Sequence, residues 1–245
     1  MAGLGLVVLI LGAVALVVIP FLLAQRGGPF VLKVVRAGGV IYAVLTLAVT
    51  AGTVIPLAGG DAQVSVPLHS DPVVIPKNVT FSSGPTALIT GGGVDRATLS
   101  ITHLGIPTRV LLIGAALAVA AVSVVIALSL SRIASTTLRG APFVPGAARL
   151  VTVAAIAIAV GGTASAVLQQ WGEWSAGQDA LSVTAWTARH VTDASTTLSQ
   201  LGWPEPASFA LQIPFLPLLL GVGLAALAAV FRAGERLQRD AEGLV

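Results

Sequence analysis

The chain has 245 residues, of which 56% are hydrophobic and 9% charged. Water-soluble domains carry about 25% charged residues, so this composition excludes a soluble fold of this size and makes lipid the expected solvent. There is no cysteine, which excludes a disulfide framework, a thiolate metal site and a cysteine nucleophile.

About 20 apolar helical residues cross the hydrocarbon layer, and five runs of that length occur in chain order: 4–24, 39–58, 110–130, 150–168 and 213–231. None contains Asp, Glu, Lys, Arg or His. Backbone groups in lipid must pair within their own segment, so each run is expected to be a helix. The first is read as a retained span and not a cleaved signal peptide: it is long, and its basic residues follow it instead of preceding it. The fold class expected is an all-α integral membrane protein of five helices with a small β-containing outer loop region.

Between the first two spans the chain reads RGGPFVLKVVR, and between the third and fourth RGAPFVPGAAR. Arg26, Pro29, Phe30 and Arg36 match Arg139, Pro142, Phe143 and Arg149 at one constant offset. Gly is favoured just past a helix end and Pro in the first turn of the next. Each stretch is thus a helical turn in which Phe anchors at headgroup depth and Arg faces lipid phosphates. The sharper alternative is a docking surface for an inner partner. LGIP at 104–107 and LGWP at 201–204 echo more loosely. Together they predict a tandem, parallel repeat of span, loop, span and outer loop, followed by a fifth span.

The first outer loop, 59–109, contains β-branched runs, AQVSVPL, VVIP, NVTF and ATLSIT, broken by Pro and Gly. These predict strands of a folded cap. The second, 169–212, holds Trp171, Trp174, Trp186 and Trp203. Trp171, Trp174 and Trp203 flank spans and are expected to form an interfacial aromatic belt. Residues 176–200 fit either a short helix or a strand pair.

The segments 25–38, 131–149 and 232–245 carry nine of the 13 basic residues, and the two outer loops carry seven of the ten acids. The positive-inside rule then puts the N-terminus outside and the tail inside. With an Arg-over-Lys, Ala- and Gly-rich composition, the expected location is a bacterial cytoplasmic (inner) membrane.

Chemistry-bearing constellations are sparse. His69, His103 and His190 are too scattered for a helical metal pair, no paired carboxylates nominate an acid and a base, and GGG at 91–93 lacks the rest of a phosphate loop. NVT at 78–80 has the form of a glycosylation acceptor. The main polar groups of the spans are Tyr42, Thr46, Thr50, Thr53, Ser123, Thr152, Thr163 and Ser165. Ser and Thr bond readily to helix backbone without any further role, and the ionisable groups that mark proton relays are missing. No cofactor, metal or nucleic acid is expected.

The blocks TLRGAPFVPGAARLVTVAAIAIAV and VFRAGERLQRDAEGLV resemble an uncharacterised family of small multi-span bacterial membrane proteins. Its members have a Gly-x-Pro-Phe inner loop and a Phe-Arg-x-Gly-x-x-Leu tail. The residues carrying the resemblance are Gly140, Pro142, Phe143, Arg149, Phe231, Arg232, Gly234, Leu237 and Val245. Arg236 lies within the same tail. The likeness implies a regulatory or accessory module and no catalytic residues. The expected function is a non-catalytic membrane subunit that docks other proteins through its loops and tail, with membrane lipids around it. The alternative is a small transporter or lipid-binding protein with a cavity between the helix pairs.

Overall fold

The computed structural model describes residues 28–72, 93–138, 146–187, 198–199 and 203–242. The first apolar run, Arg26, Gly140, the triplet at 78–80 and His190 lie outside them, as do Arg139, Pro142 and Phe143. Among the described residues, four helices are long and apolar enough to cross a membrane. They are α1 (Gly28–Gly59), α2 (Ile106–Thr137), α3 (Ala147–Leu181) and α4 (Phe215–Glu242). They contain the second, third and fourth apolar runs and all of the fifth from Phe215 onward. Strands β1 (Ala62–Pro72) and β2 (Gly93–Ile101) stand between α1 and α2.

The packing is that of a protein dissolved in lipid. The buried residues of α2 are Thr108, Leu112, Ala115, Ala120, Ala127, Ser129, Ser131 and Ala134, nearly all small. Ala120, Ala127 and Ala134 recur every seven residues, which keeps one slim face turned toward a neighbour. The large side chains point outward, with Ile55 70% and Leu219 68% exposed. Helices in lipid gain little from burying Leu against Leu and associate where small residues let backbones approach. At Gly39 on α1 an added Cβ would stand 2.8 Å from the Ala127 carbonyl of α2.

α1 packs on α2, α2 on α3, and α3 on α4, so chain neighbours are spatial neighbours. α1 ends in a Schellman turn: Gly60, at φ 92°, donates its N–H to the Leu57 carbonyl at 3.1 Å, and Asp61 N–H reaches the Pro56 carbonyl at 3.1 Å. Only a residue without Cβ holds that conformation at low cost, and a side chain there would also meet the Arg109 guanidinium.

α3 is longer than a bilayer requires. Its 35 residues extend about 52 Å at 1.5 Å each, against a hydrocarbon core about 30 Å thick. The apolar run ends at 168, and the helix continues through QQWGEWSAGQDAL. The segment open to either structure is therefore helical to Leu181. A π turn, Ala157–Gly162, interrupts α3 midway. Glycines at the turn and on α4 allow close approach: a Cβ at Gly162 would stand 3.0 Å from Pro217, and one at Gly221 only 2.6 Å from the Ala159 Cβ.

β1 and β2 pair antiparallel with Val64 opposite Leu99 and Val66 opposite Ala97. They come from AQVSVPL and ATLSIT, as expected, while VVIP and NVTF lie outside the described residues. The cap has its own small core of Leu57, Val64, Val66, Leu104, Leu112, Ala176 and Leu181. Val66, at 0% exposed, sits against Gly177 of α3. The surplus length of α3 is thus the wall on which the hairpin packs.

The described helix starts at the two echoing stretches differ. α1 starts at Gly28, so Pro29 lies in its first turn as expected. α3 starts only at Ala147, after Gly146 at φ 115°. In the frame of the echo, Pro145 and Gly146 stand where the first copy has Leu32 and Lys33. Leu and Lys continue a helix, whereas a left-handed Gly stops one from extending backward. LGIP and LGWP differ as well: Pro107 opens α2, whereas Pro204 lies in an extended stretch well before α4.

Candidate functional site

Ionisable groups gather at the two ends of the helical layer. Lys33 and Arg36 at the start of α1, Arg132 near the end of α2, Arg149 at the start of α3, and Arg232 and Arg236 at the end of α4 share one end. Arg96, Arg109, Asp61, Glu173, Asp179 and Glu205 lie at the other, with the cap.

The cap end is tied together by polar contacts. Thr108, 1% exposed, donates from Oγ1 to Asp179 Oδ2 at 2.7 Å. Its single proton is then used, so Ser175 Oγ, also at 2.7 Å, donates to Thr108. Asp179 also accepts the Gly105 N–H at 3.2 Å, which fixes the start of α2 to α3. Arg109 donates to the Leu104 carbonyl at 2.6 Å and to the Ala58 carbonyl at 3.4 Å. Glu173 accepts from Gln169 at 2.8 Å and pairs with Arg96 of β2 at 3.2 Å.

The tryptophans divide by role. Trp171 is half-exposed near Phe209, with ring centroids 6.5 Å apart, as a belt residue would be. Trp174 instead donates to the Ala207 carbonyl at 3.2 Å and meets the Phe209 ring edge-on at 5.3 Å. Trp203 donates to the Leu181 carbonyl at 3.1 Å, at the very end of α3. These two pin the extended stretch before α4 to α3. Gln170 completes the attachment, its amide accepting the Gln212 N–H and donating to the Gln212 carbonyl, both at 2.8 Å. Farther along the stretch, the His69 N–H reaches the Glu205 carbonyl at 2.8 Å, and the Ala207 N–H reaches the Pro67 carbonyl at 3.1 Å.

At the opposite end, Ser131 of α2 donates to the Arg36 carbonyl at 3.0 Å. Beside the α3–α4 contact lies an open cleft of about 470 Å³ lined by Gly146, Ala148, Arg149, Thr152, Val153, Arg232 and Glu235. Arg149, predicted from the inner loop, and Arg232, predicted from the tail, meet here. Arg232 Nη2 donates to Thr152 Oγ1 at 3.1 Å, and Thr152 donates to the Ala148 carbonyl at 2.8 Å. Glu235 is 9% exposed and accepts the Ala148 N–H at 3.2 Å, capping α3 from another helix. Arg36 and Arg236 are exposed outside this cleft, and Phe231 and Gly234 are half-buried on α4. Pro29, Phe30 and Leu237 have described helical backbone only.

Within the spans, Thr46, Thr50, Thr53, Thr152 and Ser165 each donate to a carbonyl of their own helix at 2.7–2.9 Å. Among the described residues, the buried side-chain polar atom without a partner is Thr163 Oγ1, just past the π turn. Among the described residues, no group of three or more His, Asp or Glu converges as a metal site would require. Glu235 was not singled out by the sequence, and Thr152 only as a span hydroxyl, because the role of each depends on which helix faces which.

Comparison with protein-family models, curated proteins and solved structures finds no match.

Proposed function

We propose that this protein is a non-catalytic accessory subunit of a membrane complex, docking its partner at the basic end through Arg149, Arg232 and the tail. The observation that carries this reading is the disposition of the polar groups. Thr46, Thr50, Thr53 and Thr152 of the spans bond their own helices, and Thr108, Asp179, Arg96 and Glu173 at the cap end bind one helix or strand to another. At the basic end, Arg149 and Arg232 stand exposed at an open cleft.

The proposal includes the finer architecture: five spans, N-terminus outside, tail inside, in the cytoplasmic membrane of a bacterium, and a duplicated helix pair. The segregation of Arg and Lys to one end supports that orientation. The test is purification from native membranes in mild detergent, followed by mass spectrometry. A stoichiometric partner that is lost from the Arg149→Glu/Arg232→Glu variant is the expected result. Recovery of the chain alone from wild-type membranes contradicts the proposal.

A further inference from the structure

We infer that the cleft between α3 and α4 holds the phosphodiester of an anionic phospholipid, whose acyl chain continues along the outer face of α3. Four features support this site, and none depends on whether a protein partner docks beside it.

The first is depth. Arg149 immediately precedes the apolar run 150–168, and Arg232 immediately follows the run 213–231. On antiparallel neighbours these positions fall at one boundary of the hydrocarbon layer, where headgroup phosphates lie.

The second is charge. The cleft has two guanidinium groups and one carboxylate. The carboxylate of Glu235 is engaged by the Ala148 N–H, so that backbone donor is already taken, and the two guanidiniums are the charged donors the cleft offers an anion. Arg232 is aimed across the cleft by Thr152. The Arg149 side chain makes no hydrogen bond or ion pair with any described residue and is exposed. The surplus is one positive charge, which matches a singly charged phosphodiester, and guanidinium is the side chain best suited to bind one.

The third is volume. About 470 Å³ is within the range of small-molecule sites. The fourth is continuity with an apolar face. Val153 lines the cleft and Ile156, three residues on, lies on the same side of the helix, 44% and 57% exposed. A lipid bound by its phosphate would lay its chain there.

The test compares the full-length wild-type protein with Arg149→Gln/Arg232→Gln and with Glu235→Gln, purified in mild detergent. Each is exposed to phosphatidylglycerol, phosphatidylcholine or phosphatidylethanolamine of the same acyl composition, and native mass spectrometry counts the lipid retained. Wild type is expected to retain one phosphatidylglycerol in preference to the others. The double variant should retain it roughly tenfold less well, as loss of charge-assisted hydrogen bonds implies. Glu235→Gln, whose amide oxygen still accepts the Ala148 N–H, should retain it at least as well as wild type. Should the double variant fail to fold, single Arg149→Gln decides by the same loss.

Equal retention of phosphatidylcholine overturns the inference. So does unchanged retention in the arginine variant, or preference for phosphatidylethanolamine that disappears in Glu235→Gln. Displacement of phosphatidylglycerol by millimolar inorganic phosphate assigns the cleft to a soluble phosphate and overturns the lipid. A lipid found here without a protein partner, or the reverse, separates this inference from the subunit proposal.

Discussion

Asp179 ties two helices together at the cap end. One carboxylate oxygen accepts the Thr108 hydroxyl and the Gly105 N–H, so it joins the start of α2 to the outer part of α3. Hydrogen bonds to charged groups contribute about 1.5–3 kcal/mol. Asp179→Ala is expected to cost about 2 kcal/mol of stability, read by thermal unfolding in detergent, because Thr108 keeps Ser175 as a partner. Asp179→Asn retains an acceptor and should lose about half as much. Thr50→Ala, by contrast, removes only a bond to the helix's own Thr46 carbonyl and should change stability by less than about 1 kcal/mol. Equal losses at 50 and 179 would contradict this ranking.

At the scale of elements, the apolar runs are legible because lipid imposes both length and backbone pairing, and the strands because β-branched residues punctuated by Pro and Gly have few other uses. The outer continuation of α3 was not legible. Its sequence contains Gly172 and Gly177, both weak helix formers. Those glycines earn their places by contact: a Cβ at Gly172 would stand 2.6 Å from Leu112 Cδ2, and one at Gly177 2.7 Å from Val66. Tertiary packing selects the helix there, and local propensity does not. The cleft was legible only in its parts. Arg149 and Arg232 were visible, yet Thr152 and Glu235 acquire meaning once α4 lies on α3.

The π turn yields a prediction at the same scale. A π turn accommodates extra residues per turn, so deleting exposed Val160 is expected to convert Ala157–Gly162 to ordinary α-helix. The outer part of α3 would then keep its face toward the cap. Deleting Ala166, in regular helix, rotates everything beyond it by about 100° and turns Glu173, Gly177 and Asp179 away from the cap. The Val160 deletion should unfold within a few degrees of wild type, and the Ala166 deletion far below it. The reverse order would contradict the assignment of the π turn.

At the scale of the whole molecule, charge asymmetry and the cap define two unlike faces. The chain has no cysteine, so single cysteines report cleanly on sidedness. In intact bacterial cells, His69→Cys on β1 is expected to react with a membrane-impermeant maleimide. Arg36→Cys and Arg236→Cys should react only after permeabilisation. Labelling of all three in intact cells would contradict the orientation.

The claim that the basic end is a docking face is tested most directly by a photo-crosslinking amino acid placed at position 236 in the native membrane, with one at 209 on the cap side as the control. The account predicts a discrete adduct of defined mass from 236, absent from 209 and abolished by Arg149→Glu/Arg232→Glu. No adduct from 236, or adducts only between copies of this chain, would contradict it.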